Sequence, residues 1–340
     1  MVGQITIGHG CHRLIATADH DVRLALVDLP QPTAETIVVD TLYSGISIGT
    51  ERNLLLGRVS WGPFPICLGY QAVGAVTRLG TDVDGLSTGD LVYYRANAPM
   101  TLQRGGAVSP TSGTHCSRAV LTPSDHDVAQ LPDGVAPHVG STFVMPAVGL
   151  NGVDAANVRM GDTVVVHGTG LIGLGVVAAA THRGAEVIAV DLQANRLAVA
   201  SKLGATCTIN AADVDLATAV RHRAPDGADV VFEATGIPAN IDTAMGLCRP
   251  NGTFVFQGDY GRNPISFEFG TPHERQLRTV FPCNDGLEPG RRGVLRNMAN
   301  GFLPWDETIT DVLPAEDAPA LYDRLLGTDL DDVIGAVIEW

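Results

Sequence analysis

The chain has 340 residues, with 22 basic against 37 acidic side chains and a net charge of −15. That length, with 45% apolar residues, suits about two domains with real cores, and the negative charge makes nucleic acid and anionic membrane surfaces poor partners, leaving a small-molecule substrate as the expectation. No apolar run approaches the roughly 18–20 residues of a spanning helix and nothing in MVGQITIGHGCHRL reads as a secretory signal, so a soluble, cytoplasmic protein is expected.

Lys202 is the only lysine, which nearly excludes Schiff-base or Walker-type chemistry. Cys11, Cys67, Cys116, Cys207, Cys248 and Cys283 are scattered with no CxxC pair, against both a disulfide framework and a clustered-thiolate zinc site.

The first ~150 residues alternate short β-rich runs with Gly and Pro punctuation: TIVVDTLYSGIS, ICLGYQAVGAVTRLG, GDLVYYRA and SRAVLTP. They predict a mainly antiparallel, partly barrel-like domain over 1–150. From 151 the pattern becomes apolar strands alternating with Ala-rich helical stretches, the signal of βαβ units around a parallel sheet. Strands are expected at 162–168, 185–191, 205–210, 228–235, 252–258 and 277–282, and six suit a doubly wound nucleotide fold over 151–300. Beyond it, ETITDVLP, a helix over AEDAPALYDRLLG and a strand in DDVIGAVIEW form a tail, 301–340, expected to return to the first domain.

VVVHGTGLIGLG places Gly168, Gly170 and Gly173 as G-x-G-x-x-G between an apolar strand and an Ala-rich helix. Gly168 permits the turn, Gly170 lets the backbone approach a pyrophosphate and Gly173 allows close helix–strand packing. Thr169, Leu171 and Ile172 complete a turn whose helix N-terminus faces the phosphates. Asp191 closes the next strand 23 residues after Gly168, near the ~20-residue spacing at which an acid binds the ribose hydroxyls. It would also repel a 2′-phosphate, and the next basic residue is Arg196, counted with the cofactor contacts. NAD(H) is therefore favoured, with NADP(H) left open. Ala234, Thr235 and Gly236 after the fourth strand, Gly258 after the fifth and Phe281 to Cys283 after the sixth lie where nicotinamide dinucleotides rest on such sheets. Cys283 has nothing basic beside it in sequence, so a bystander thiol is its default.

The order of SGISIGTE, LGYQAVGAV, Gly89-Asp90, LPDGV, the Rossmann segment with AVASKLGA, VFEATG and the closing AVIEW resembles the medium-chain dehydrogenase/reductase superfamily over nearly the whole chain. The resemblance implies an α/β protein: a GroES-like, mainly β catalytic domain plus a Rossmann domain with a doubly wound parallel sheet. The SGIS-x-GTE and GYQ combination resembles the branch of bacteriochlorophyllide hydroxyethyl dehydrogenases and polyol or cyclitol dehydrogenases. It also implies a homodimer, through edge strands of the Rossmann sheets around FVFQGDYG and the segment that follows.

Zinc-dependent members carry Cys, often followed by His, where this chain has Ser47-Ile48, and a His-Glu pair where it has Tyr70-Gln71. The third ligand's region, PAVGLNGVDA, offers neither Cys nor His, and the four cysteines of the family's structural zinc lobe are missing. Because zinc catalysis needs three protein ligands around an open position, no zinc is expected. The His9, Cys11, His12 group lacks a second pair and is not expected to bind metal.

Side chains must then manage the proton that zinc would otherwise acidify. Tyr70 and Ser47 occupy the ligand positions by motif register, as acid–base groups or as filler of a vacated pocket. Glu51 could orient Thr50, relay a proton, or pair with Arg52 or another arginine. An imidazole is intrinsically suited to proton transfer near neutrality, but His115 stands alone before a strand, and Gln71 replaces the glutamate that supports the metal site in the family. The expectation is a zinc-independent NAD(P)(H)-dependent oxidoreductase interconverting a secondary alcohol and a ketone. Its rivals are an enoyl or quinone C=C reductase and a non-catalytic dinucleotide-binding sensor.

Overall fold

The computed structural model describes residues 10–110, 112–285, 288–327 and 332–340. The chain forms two compact units, one of Met1–Thr142, Asp311–Leu330 and Ala336–Trp340, the other of Phe143–Thr310 and Asp331–Gly335. The helix Val144–Ala156 runs across the expected boundary at 150.

In the first unit, strands Cys11–Ala16, Val22–Asp28, Met100–Leu102, Ala107–Pro110 and Ile66–Cys67 close a small barrel. A second sheet runs Ala129–Gln130, Leu91–Tyr94, Ala72–Leu79, Ile37–Gly45, Ala336–Glu339 and Asp311–Pro314, with Arg118–Leu121 also on Ile37–Gly45. These segments are short and β-branched, and residues such as Ile15, Ile37, Val39, Val76 and Val92 fill a common core. The strand Ile37–Gly45 ends inside SGISIGTE, and the helix Ile48–Leu55 begins after Ser47. Cys11 opens the strand Cys11–Ala16, which forms an antiparallel hairpin with Val22–Asp28, and is buried there while His12 is exposed; His9 lies outside the described residues.

In the second unit six parallel strands run in the order Cys207–Asn210, Glu186–Asp191, Thr163–His167, Ala228–Glu233, Cys248–Phe256 and Arg278–Val280. This is the doubly wound 3-2-1-4-5-6 order. Val164 to Val166 and Val187 to Val190 are fully buried, as expected of strands covered on both faces and read as continuous apolar runs. The six expected strands are all present, with ends shifted by a few residues. Cys248–Phe256 is hydrogen-bonded on both sides, so FVFQG cannot be a free edge; on that side of the sheet the outermost strand is Arg278–Val280. Among the described residues no helix is long and apolar enough to cross a membrane.

Candidate active site

Ser47 caps the helix Ile48–Leu55 with its backbone, while its side chain makes no cap bond. The hydroxyl accepts instead from Tyr70 Oη at 2.5 Å, which leaves the serine's own hydrogen free to donate elsewhere. Tyr70 follows Gly69, whose φ is +86°, and a Cβ there would lie 2.6 Å from His115 Cγ. Only glycine lets the chain turn past that imidazole. Trp61 and Arg95 flank the phenol, the rings 5.9 Å apart and the guanidinium carbon 5.7 Å from the Tyr70 ring centre. Burial lifts the phenol pKa above its ordinary 10.0; hydrogen bonds with Ser47 and Thr50 pull it down, Glu51 pushes it up and Arg95 pulls it down. Tyr70 is therefore a neutral phenol at physiological pH, a proton donor in its resting state.

Behind this pair lies a buried carboxylate. Glu51 accepts the Ser47 backbone N–H at 2.9 Å, the His115 Nε2 hydrogen at 3.2 Å and the Tyr322 hydroxyl. Among the described residues no arginine pairs with it: Arg52 donates its Nε–H to the Leu325 carbonyl at 2.7 Å, across to the helix Ala318–Leu326. His115 is fully buried, so the imidazole sits against Glu51 and away from any open surface. Its Nδ1 lies 2.8 Å from Ser44 Oγ, which accepts the Trp340 indole N–H at 2.7 Å. An indole only donates, so we assign the Ser44 hydrogen to His115 Nδ1 and the imidazole proton to Nε2. Gln71 donates its backbone N–H to Thr114 Oγ1 at 2.9 Å and its amide to the Gly45 carbonyl at 3.4 Å, holding the loop on which Tyr70 sits.

Tyr322 escapes sequence reasoning. It lies in an amphipathic helix far along the chain, and a tyrosine at a core-facing position carries no cue that its hydroxyl meets a carboxylate 271 residues away.

In the second unit Gly168 has φ +97°, and a Cβ on Gly173 would lie 1.9 Å from the Gly168 carbonyl. Packing therefore dictates both. A Cβ on Gly170 meets no protein atom within 4 Å, so the glycine leaves room outside the backbone, as a pyrophosphate requires. Gly170 caps the helix Leu171–His182, whose free N–H groups and dipole suit phosphate. Leu171 is buried against the fold and Ile172 half-buried. These residues fit a dinucleotide.

Asp191 has a second task. Its Oδ2 accepts the Thr169 N–H at 2.7 Å and the Thr169 hydroxyl at 3.0 Å, and its Oδ1 accepts the Leu192 and Gln193 N–H groups. It braces the glycine turn as well as ending its strand. Arg196 lies in the first turn of the helix Ala194–Lys202 just beyond, its Nε buried without a hydrogen-bond partner. Glu233, also unmarked in the sequence, shapes the next turn: it accepts from the Thr235 and Gly236 N–H groups and from the Thr235 and Tyr260 hydroxyls, and so fixes the turn that begins at Ala234. Gly258 abuts that turn, where a Cβ would lie 2.4 Å from the Gly236 nitrogen. Phe281 is largely exposed, its ring stacked on Phe256 at 4.5 Å. The Cys283 thiol is exposed and its carbonyl accepts from Asn151 at 3.0 Å.

Where the family resemblance would put the thiolate and imidazole that zinc takes, Ser47 and Tyr70 supply two neutral hydroxyls, the phenol donating to the serine. Among the described residues, no group of three or more His, Cys, Asp or Glu side chains is placed to hold a metal. The donor set does not fit zinc.

A dinucleotide-binding Rossmann unit joined in one chain to a GroES-like β unit defines a dehydrogenase of the alcohol dehydrogenase-like kind. Residues 172–296 match the zinc-binding dehydrogenase family. D-xylulose reductase A of Aspergillus oryzae is 30% identical over 344 residues, covering 94% of each chain. Among solved structures, 2R,3R-butanediol dehydrogenase from Bacillus subtilis is 19% identical with a TM-score of 0.83, covering 97% of this chain and 99% of that one. Galactitol-1-phosphate dehydrogenase from Escherichia coli is 19% identical with a TM-score of 0.82, covering 97% and 100%; these two likenesses carry the fold. The chain belongs to the medium-chain dehydrogenase/reductase superfamily, and it is an enzyme of the alcohol dehydrogenase/reductase type.

Proposed function

We propose that the protein is a zinc-independent, NAD(H)-preferring oxidoreductase that interconverts a polyol or related secondary alcohol and its ketone, with Ser47 and Tyr70 managing the proton. The observation that carries this reading is the 2.5 Å bond between two hydroxyls at the family's metal positions. When bound, the nicotinamide supplies or takes the hydride. For a ketone, the Ser47 hydroxyl donates a hydrogen bond to the substrate oxygen. As charge develops there, Ser47 gives up its proton and takes the one Tyr70 holds, and solvent later restores the phenol. A phenol remains a far stronger acid than an alcohol even when burial raises its pKa, so the direction of transfer is downhill. Arg95, beside the ring, offsets the phenolate charge that forms.

The name of the A. oryzae relative supports a ketose or polyol as the substrate class. The charge of Asp191 at the end of its strand supports NAD(H), since it would repel a 2′-phosphate. A homodimer, by family resemblance, would pair through Arg278–Val280, and no nucleic acid or membrane partner is proposed.

The test is oxidation of NADH and of NADPH against D-xylulose, other ketoses, simple ketones, enones and quinones. Turnover of a ketose with NADH is the expected outcome. Turnover confined to enones or quinones with NADPH would replace this reading with C=C reduction, and tight NADH binding with no turnover would replace it with a sensor.

A further inference from the structure

We propose that Tyr322 is a positioning residue for this reaction: together with His115 it clamps the Glu51 carboxylate, which in turn holds Ser47 at the place from which its hydroxyl donates. The inference rests on the reading of Ser47 and Tyr70 as proton carriers and adds to it a group that touches neither substrate nor cofactor.

Glu51 grips Ser47 at both backbone ends. The Ser47 N–H donates to Glu51 Oε1 at 2.9 Å, and the Ser47 carbonyl accepts the Glu51 N–H at 2.9 Å. One helical turn is thus closed on itself, and moving the carboxylate moves the serine. The carboxylate has little freedom of its own, since His115 Nε2 lies 3.3 and 3.2 Å from its two oxygens and the Tyr322 hydroxyl donates to Oε2. Glu51, His115 and Tyr322 are all within 1% of complete burial. Without these donors the buried anion would be a large penalty; with them it is a fixed point. The Tyr322 phenol pKa is raised well above 10.0 by burial and by Glu51, so it stays a donor. Arg52 reinforces the same junction through the Leu325 carbonyl. The imidazole is itself held, with Ser44 and Trp340 fixing its tautomer.

A purely packing role for Tyr322 would survive loss of the hydroxyl. Tyr322→Phe keeps the ring and removes only the donor, so one of the carboxylate's three holds is lost. The expected result is a fall of about 10- to 100-fold in kcat, the size of effect that small misplacements of reacting groups produce, with KM for the ketone and affinity for NADH within about twofold. Hydrogen exchange at the Ser47 amide, followed without substrate, should quicken at least about tenfold, because its acceptor is no longer held. Unchanged kcat, a loss confined to KM, or an unaltered Ser47 amide would overturn the proposal. Measured alongside, Ser47→Ala and Tyr70→Phe separate the two claims. If both are mild, the proton reading fails while the Ser47 amide still decides whether Tyr322 positions it. If both are severe and Tyr322→Phe is mild, only the positioning claim fails.

Discussion

Tyr70→Phe is expected to slow ketone reduction by about 10²–10⁴, the usual contribution of a general acid or base, with NADH affinity nearly unchanged. The ring stays, so the packing against Trp61 and beneath Arg95 is kept, and none of the residues of the glycine turn is touched. What disappears is the proton that refills Ser47. The pH dependence gives the claim a sign. Because the phenol pKa is raised above 10.0, the wild-type acid form persists through neutral pH and ketone reduction should be level there, falling only as the pH climbs past that raised value. Alcohol oxidation needs the phenolate and should rise over the same alkaline range. Both alkaline limbs should vanish in the variant. A loss below about tenfold with the limbs intact would make Tyr70 pocket filler and move attention to Ser47 and bound water.

Gly173→Ala should be the most damaging single change in the Rossmann unit. Its Cβ would lie 1.9 Å from the Gly168 carbonyl, a contact with backbone that no side-chain rotation relieves. Either the helix Leu171–His182 is pushed off the strand Thr163–His167 or the glycine turn is displaced. Overpacking of this kind costs roughly 1–3 kcal/mol, occasionally more, and the turn is where the pyrophosphate is expected. NADH affinity should fall by at least about 100-fold and Tm should drop. Gly170→Ala, by comparison, meets no protein atom within 4 Å, so any loss there is specific to the ligand. Near-normal NADH binding by Gly173→Ala would mean that the turn is not the phosphate site.

The Rossmann unit is readable from sequence because its strands are buried on both faces and appear as unbroken apolar runs, and because Gly168, Gly170 and Gly173 sit at a spacing that geometry demands. The β unit is readable as a class but not in its details. The helix Ile48–Leu55 hides in SGISIGTERNLL, where serine and glycine suggest a loop, and its first turn is closed by a carboxylate reaching back to Ser47. Ser47 and Tyr70 stand out by motif register, as departures from a metal-binding pattern. That Glu51 meets His115 and Tyr322 is not legible, since those contacts span 64 and 271 residues and no local pattern encodes them. Asp191 reads in sequence as a ribose ligand, and its hold on Thr169 becomes visible only with the turn in three dimensions.

If the Ser47 and Tyr70 hydroxyls stand in for a catalytic metal, the activity of the protein must be independent of its metal content. Purified protein is assayed for zinc, treated with a strong chelator and assayed again for NADH-dependent ketone reduction. The prediction is zinc well below one equivalent per chain and full activity after chelation. One tightly bound equivalent, with activity lost on its removal and restored by adding zinc, would contradict the account.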